Sequence, residues 1–541
     1  MRITSQMMIN TNMADIQTNK LLLNKYNTQM STQKKINRPS EDPVIAIRAL
    51  RLRSSLNQVS MYLDKNIPDA SSWLDITEGA LDEGNSIITQ LYGYCTQGAT
   101  DSYSSEQRQT IAETLNKLKD AFYAQGDVEY AGRYVFTGYK TDTPLTYQSN
   151  DTAKDENYTI TQDFDRSYLT TKKAYTNSYS NDDIMNLNLH KDTNGNIVTP
   201  NEQTVHTIKT AYRDVNEAGF TMTYNNTDIS VSEDGTSAQI TTYQLDANGD
   251  AVLDANGDPI VAGTTTVQAG ADGKFTFNDS TGAEVKLGMT ADDNAIPEDN
   301  EIIFNGSTGE ILLGKDIYSN VYTSNEFSIT YTKDNFEKGD LNPTMYFNCI
   351  DNNTGIEYEK NDEAIEYNIN YSQKLKINTQ ADEAFDIYLG RDIDGLVKSV
   401  NDVLDIEAQI TQVKSMMEEE RYRDETSQST LNSMLEGLNK QYDIAKQNMT
   451  DSFENGIKQM KSYQQKNSVA KADVGNRETR LTLTKSRVTE QKTNFKSLKS
   501  NNEDIDLEEV VIGYYSAELV YNASLSAASK VVQQTLLDFI R

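Results

Sequence analysis

Asp42-Pro43-Val44-Ile45-Ala46-Ile47-Arg48-Ala49-Leu50-Arg51-Leu52 opens the stretch whose repeat decides the fold. Asp42 has the short oxygen-bearing side chain of an N-cap. Pro43 suits the first helical position, where a missing N–H costs nothing. From there Ile45, Leu52, Val59, Asn66, Trp73, Ala80, Ile87 and Tyr94 recur every seven residues, with Ala49, Leu56, Leu63, Ala70, Thr77, Gly84 and Leu91 in the partner positions. A heptad register held this long predicts a long helix with one narrow packing seam. Pro68 is expected to kink or locally open that helix, and Asn66 to weaken the seam beside it.

The same interval runs outward in both directions. Upstream, Ile9, Ile16, Leu23 and Met30 form a seam with Met13 at an intermediate position, and Pro39 ends the segment because the residue before a proline leaves the helical region. Downstream, Ile111, Leu115, Leu118 and Phe122 predict a third helix. None of the eight prolines lies beyond Pro343, so the C-terminal tract is open to long helices. Val400, Val403 and Ile410 begin a pattern there, and Val474, Leu481, Val488 and Phe495 carry it on. After the polar stretch Asn501-Asn502-Glu503-Asp504, a last helix bears Val511, Tyr514, Tyr521, Leu525, Ala528, Val532 and Phe539, with Glu518 and Thr535 in the two missing positions. Asp506, Glu508 and Glu509 open this helix and Arg541 closes it, as the helix dipole favours.

Between about Thr141 and 395 the composition changes to Thr, Asn, Asp, Tyr and Gly. Alternation such as Gly273-Lys274-Phe275-Thr276-Phe277 reads as strand. Asn-Gly pairs at 194–195, 248–249, 256–257 and 305–306 predict two-residue hairpin turns. Asp246-Ala247-Asn248-Gly249-Asp250 and Asp254-Ala255-Asn256-Gly257-Asp258 form a local repeat that resembles half of a calcium loop. The glycine and terminal glutamate of an EF-hand are missing, so hairpin turns are the better reading.

The 541 residues carry a net charge of -31 and only 37% hydrophobic residues, which suits several domains of long exposed helix and thin sheet. Residues 1–140 hold 15 basic and 15 acidic side chains, residues 396–541 hold 19 and 22, and residues 141–395 hold 16 and 44. Two nearly neutral ends therefore flank an acidic middle that reads as solvated outer surface. This balance argues against nucleic-acid binding, which needs a basic footprint. Cys95 and Cys349 make no disulfide framework. His190 and His206 are isolated and make no metalloprotease motif. No catalytic, cofactor-binding or metal-binding residues are assigned, and no enzyme is expected. The many tyrosines read as strand and seam packing. No apolar run is long enough to predict membrane insertion, and the start Met1-Arg2-Ile3-Thr4-Ser5-Gln6 lacks the apolar core of a cleavable signal peptide.

Ile36-Asn37-Arg38-Pro39-Ser40-Glu41-Asp42-Pro43 resembles the turn between the first two helices of flagellins and flagellar hook-associated proteins, in particular at Asn37, Pro39, Ser40, Asp42 and Pro43. The start Met1-Arg2-Ile3-Thr4 and the end Ser529 to Arg541 fit the same group. Within this flagellin-like superfamily, Ala131-Gly132-Arg133-Tyr134-Val135-Phe136-Thr137-Gly138 is similar to the core motif of the hook-associated protein 3 family, carried here by Gly132, Tyr134, Phe136 and Gly138. Val474-Gly475-Asn476-Arg477 resembles that family's C-terminal helix entry, and Thr535-Leu536-Leu537-Asp538-Phe539 its terminal pattern. The resemblance covers about 1–147 and 365–541.

That resemblance implies a non-enzymatic structural subunit of the bacterial flagellum, joining hook to filament. It implies export without a cleavable signal through a type III export apparatus with an export chaperone, an extracellular location, and a homo-oligomeric ring of about eleven copies. Its partners would be hook-associated protein 1 and flagellin. The alternatives are flagellin itself, or a secreted adhesive or glycan-binding protein acting through the β-rich region.

The expected fold class is α+β and multidomain. Long N- and C-terminal helices form an antiparallel coiled-coil or helical bundle, and a β-rich outer domain is inserted between them. The expected divisions are 1–40 (N-terminal assembly helix), 41–140 and 396–500 (the two parts of the helical core), 141–395 (one or two acidic β-rich domains) and 501–541 (C-terminal assembly helix). The assembly-interface candidates are Ile9, Met13, Ile16, Leu23, Met30, Val511, Tyr514, Tyr521, Leu525, Ala528, Val532, Leu536 and Phe539. Isolated helices with such seams are marginal in water, so the terminal segments of about 40 residues are expected to order fully only on assembly.

Overall fold

The structure is a computed structural model, and it describes residues 5–100, 103–246, 251–254 and 256–538. Phe539 lies outside the described residues, and of Val532 and Leu536 only the helical backbone is described. The chain opens with helices α1 (Ser5–Thr32), α2 (Pro43–Met61), α3 (Ile67–Gly98) and α4 (Ser105–Ala124). Strands β1 (Glu129–Tyr130) and β2 (Arg133–Tyr134) and helix α5 (Asn150–Ala153) follow, then β3 (Tyr158–Phe164), β4 (Thr170–Thr176) and α6 (Asn181–Asn186). The middle continues with β5 (Asn201–Lys209), β6 (Thr221–Tyr224), β7 (Thr227–Val231), β8 (Ser237–Tyr243), β9 (Val261–Gln268), β10 (Phe275–Asn278), β11 (Glu284–Met289), β12 (Glu301–Asn305) and β13 (Glu310–Leu313). After α7 (Lys315–Ser324) come β14 (Phe327–Lys333), β15 (Asn348–Asp351), β16 (Ile356–Tyr358), β17 (Glu366–Asn370) and β18 (Gln373–Lys376). Helices α8 (Ala381–Ala384), α9 (Ile387–Glu418), α10 (Glu425–Glu503) and α11 (Leu507–Asp538) complete the chain. This is the α+β architecture expected: long helices at both ends and strands between.

The chain divides into two compact units. One comprises 1–72, 366–376 and 477–541; the other comprises 73–365 and 377–476. In the larger unit, α3, α4, α9 and α10 form an antiparallel bundle. Gln464 Nε2 donates to Thr89 Oγ1 across 3.0 Å, Lys119 Nζ to Asp394 Oδ1 across 2.8 Å, and Tyr463 OH to Asp392 Oδ2 across 2.7 Å. The heptad set Trp73, Thr77, Ala80, Gly84, Ile87 and Leu91 is buried, as its register requires. The Phe385 ring meets Phe122 at 5.2 Å in a tilted contact and Phe136 at 4.9 Å edge to face.

The β-rich part of the same unit is two sheets. One has the order β10-β11-β12-β13-β5-β4, the other β16-β15-β3-β14-β6-β7-β8-β9. All pairings are antiparallel except β11 with β12. Arg391 on α9 ties sheet to bundle. It is buried and its guanidinium donates to the carbonyls of Thr210 (3.0 Å), Gly309 (3.3 Å) and Thr308.

Several local expectations are corrected. The Asn305-Gly306 pair is not a two-residue turn. Asn305 stays in β12 opposite Glu310, so residues 306–309 make the connection, and the positive φ falls on Gly309 at 61°. Asn305 Oδ1 accepts from Ser307 Oγ and Thr308 N, which holds the longer turn. At 194–195 and 256–257 only the glycine has positive φ. There Asp192 and Asp254 each accept two backbone N–H groups, which closes a longer Asx-type turn. Asp254 is thus spent on backbone N–H groups beside the antiparallel Leu253–Pro259 bridge, and the pair at 248–249 lies outside the described residues. Strand β10 begins at Phe275, because Gly273 (φ 75°) turns the chain. Helix α9 begins at Ile387, ahead of Leu396, capped by the Asp386 carboxylate.

Asn467 on α10 is fully buried in the bundle, and neither its Oδ1 nor its Nδ2 has a hydrogen-bond partner among the described residues. Replacing such a group by an apolar one of the same shape removes an unpaid desolvation cost. Asn467→Leu is expected to raise the stability by about 1 kcal/mol, read as a higher denaturant midpoint at constant m. An unchanged or lower midpoint would show the amide to be satisfied.

Candidate assembly interface

In the smaller unit the two chain ends pair with each other. Helix α1 turns a half-buried stripe, Ile9, Asn12, Ile16, Asn19, Leu23, Tyr26 and Met30, at alternating three- and four-residue spacing. Val510, Tyr514, Ala517, Tyr521, Ser524 and Ala528 form the matching stripe on α11. The pairing is antiparallel: Asn19 Nδ2 donates to Ser524 Oγ across 2.8 Å, and the ring of Tyr26 packs over Gly513. A Cβ at Gly513 would stand 2.8 Å from that ring, so the glycine sets how closely the helices approach.

Of the assembly-interface candidates, Ile9, Ile16, Leu23, Met30, Tyr514, Tyr521 and Ala528 sit in this seam within the chain, and Val511 on its margin. Met13 and Leu525 do not. They are 59% and 42% exposed, and Asn12 and Ser524 take the inward positions beside them. The physical reason is that a strict three-four alternation from Ile9 passes through Asn12 and Asn19, and a hydrogen bond between short polar side chains fills the narrow gap. Much apolar surface is left outside. Met7, Met8, Leu21 and Leu22 on α1, Val44, Ile47 and Leu50 on α2, and Ile512, Tyr515, Leu519 and Val520 on α11 are all exposed, Leu519 the most at 73%.

The expected turn motif closes this unit. Asp42 Oδ1 accepts from Val44 N and Ile45 N at 2.9 and 3.1 Å with Pro43 at the first helical position, as its sequence predicts. Asn37 N donates to Glu41 Oε2 at 3.0 Å, and Asn37, Pro39 and Ser40 are exposed. The residues just ahead of the motif dock on the corner between α10 and α11. Lys35 N donates to Glu503 O at 2.8 Å and Ile505 N to Gln33 O at 3.3 Å. Gln33 adopts a left-handed φ of 55° to make this approach.

Glu503 is the residue that sequence reading missed. In a run of Asn, Asn, Glu and Asp it looks like a solvated corner, yet it is 4% exposed. Arg53 on α2 binds it with two hydrogen bonds of 2.7 Å, and Lys34 Nζ lies 3.7 Å away while also pairing with Asp504. The Arg53 hydrogen bond holds the Glu503 carboxyl below its usual range, and Lys34 does the same for Asp504. The excess of arginine on α2 was the one available signal. The turn of α2 into α3 is also served locally. Residues 62–66 form a wide π turn in which Ile67 N donates to Tyr62 O, so the expected opening falls one turn ahead of Pro68. Asn66 Nδ2 donates from there to Asn368 O of the β17–β18 hairpin at 2.8 Å.

The core motif lies in the larger unit. Ala131 and Gly132 both have positive φ (51° and 74°) and form the tight turn between β1 and β2, where Tyr134 pairs with Glu129. Phe136 is buried against Phe385, and a Cβ on Gly138 (φ 60°) would collide with the Glu363 carboxylate. Each histidine stacks on a tyrosine ring, His206 on Tyr318 and His190 on Tyr179. Cys95 and Cys349 are free, and burial pushes both thiols up to about 12. Among the described residues no group of His, Cys, Asp or Glu could hold a metal ion, and no helix is long and apolar enough to cross a membrane.

Residues 3–141 match the family described as the bacterial flagellin N-terminal helical region. The chain is 30% identical over 145 residues to flagellar hook-associated protein 3 of Escherichia coli (strain K12), covering 26% of this chain and 45% of that one. Against the protein of the same name from Salmonella typhimurium (strain LT2) it is 30% identical over 144 residues, with the same shares. The chain therefore spans a little under half the length of these curated relatives. A solved structure of the flagellar junction protein from Legionella pneumophila shares 12% identity, with a TM-score of 0.26 over 81% of this chain and 99% of that one. The N-terminal region is thus similar to that of flagellins, and the likeness to hook-associated protein 3 expected from its motifs is found over about 145 residues.

The folded-state acidity of Glu503 and Asp504 has a stability consequence. Both carboxyls are depressed, so their contribution is full above the ordinary carboxylate range and is lost as pH falls below it through their lowered folded-state values. Unfolding of the terminal helices should become easier below about pH 4.5. Glu503→Gln should weaken the unit by about 1–2 kcal/mol at neutral pH and flatten that acid limb. Hydrogen exchange of α1 and α11 across pH 3–7 reads both, and an unchanged acid limb in the variant would remove Glu503 from the account.

Proposed function

We propose that this chain is a structural, non-enzymatic subunit of the bacterial flagellum that joins hook to filament. The observation that carries the reading is the apolar surface left exposed on α1, α2 and α11 after those helices have packed, in a chain whose N-terminal region matches the flagellin N-terminal helical family. Burying a leucine or isoleucine such as Leu21, Ile512 or Leu519 against a neighbour contributes roughly 1.5–3 kcal/mol. A few such contacts per copy drive polymer growth, offset by ordering of the helices. The partners would be further copies in a closed ring of about eleven, hook-associated protein 1 on one side and flagellin on the other. Delivery would use the type III export apparatus with a chaperone, without a cleavable signal, to an extracellular site. Terminal segments joined by so polar a seam would order fully only on assembly.

Leu519→Asp separates assembly from folding. The side chain is exposed in the single chain, so the purified variant should melt within about 1 °C of wild type, since surface changes cost little. It should nevertheless abolish swimming. Wild-type motility in that strain would sink the apolar-contact mechanism. A strain lacking the chain should build hooks and release flagellin monomers without attached filaments. Attached filaments in that strain would refute the junction role, and tens of thousands of copies of the chain per filament would make it flagellin instead.

A further inference from the structure

The two units differ in charge far more than the chain's sequence blocks do. By the residues that compose them, the smaller unit holds 21 basic and 15 acidic side chains, net +6, and the larger 29 and 66, net -37. The positive charge of the smaller unit is concentrated. Residues 20–53 hold eight basic and two acidic side chains, and residues 477–500 hold seven and two. On α10, Lys485, Lys492, Lys496 and Lys499 follow at intervals of seven, four and three, which sets them along one flank of the helix. Lys492 is engaged by Asp64 at 2.7 Å, whereas Lys485 and Lys496 are exposed and form no ion pair among the described residues. The same holds for Arg48 and Arg51 on α2, one turn apart.

We infer that this basic surface of the smaller unit docks the acidic larger unit of a second copy of the chain. The inference rests on the proposed self-assembly and adds its electrostatic geometry. Copies brought side by side in register would set one net charge of -37 against another, and that repulsion grows with every copy added. A staggered contact, with the smaller unit of one copy on the larger unit of the next, replaces it with attraction, since of the two units the smaller has the positive balance. Such a contact is heterologous, using different surfaces on the two copies, which is the kind that closes into rings or continues as helices. Apolar contacts supply affinity, while the charges choose the stagger and speed the encounter.

The contact must then respond to salt, because exposed charges are screened over about 10 Å at 0.1 M and about 3 Å at 1 M. Self-association of the purified full chain, followed by sedimentation velocity, should fall at least about fivefold between 50 and 500 mM sodium chloride, whereas purely apolar association would strengthen or stay level. Lys485→Glu with Lys496→Glu should reproduce that loss at 50 mM salt, with an unchanged melting temperature, and should leave little further salt dependence. Lys485→Arg with Lys496→Arg should keep wild-type behaviour. Association that is equally strong at both salts, or untouched by the charge reversals, overturns the electrostatic docking and leaves the junction reading standing. Absence of any self-association at either salt overturns it too, and the deletion strain then decides the junction reading separately.

Discussion

The buried carboxylate of Glu503 is the contact on which the terminal unit depends. It lies where the 79-residue α10 ends and the chain reverses into α11, and Arg53 from α2 holds it with two short hydrogen bonds. A carboxylate removed from water is costly unless its oxygens are fully engaged. Two hydrogen bonds from a planar guanidinium and the nearby Lys34 ammonium meet that requirement. Backbone bonds from Lys35 and to Gln33 then join the α1–α2 turn to the same corner. Segments from the two ends of the chain are thereby placed side by side, and the antiparallel course of α1 along α11 follows.

What that pairing leaves undone is as informative as what it does. A seam built on Asn12, Asn19 and Ser524 as well as on Ile16 and Leu23 buries little apolar area for its length, while Leu21, Ile512 and Leu519 stand in water. Two helices of 28 and 32 residues cannot satisfy an apolar surface spread around their circumference with a single narrow contact. The bundle of the larger unit shows the contrast. There Trp73, Leu81, Ile88, Leu115 and Phe122 are all but completely buried, and Lys119 and Asp394 pair where the bundle is partly exposed.

The β-rich part is held to that bundle by polar rather than apolar means at one notable place. Arg391 is enclosed with no carboxylate bonded to it among the described residues, and three backbone carbonyls of the 210 and 308–309 turns occupy its donors. Desolvation lowers its pKa, yet an arginine keeps its charge well above neutral pH. This contact fixes the turns through their backbones, alongside the Asn305 and Thr210 side chains that bond the same turns.

The long helices, their seams and the N-cap at Asp42 were legible because each depends on residues a few positions apart: a heptad repeat and a cap are local facts of the chain. The strand-rich character of the middle was legible for the same reason. The tertiary structure alone decided that Ser524 and not Leu525 faces α1, since a helix phase is set by the partner it meets and Asn19 supplied that partner from 505 residues away. It decided likewise that Glu503 is buried, because nothing near Glu503 in sequence announces Arg53. The Asn305-Gly306 turn opened to four residues because Asn305 was needed in the ladder opposite Glu310. The division into a positive and a strongly negative unit was hidden for the same reason, since it gathers segments from both ends of the chain with a hairpin from 366–376.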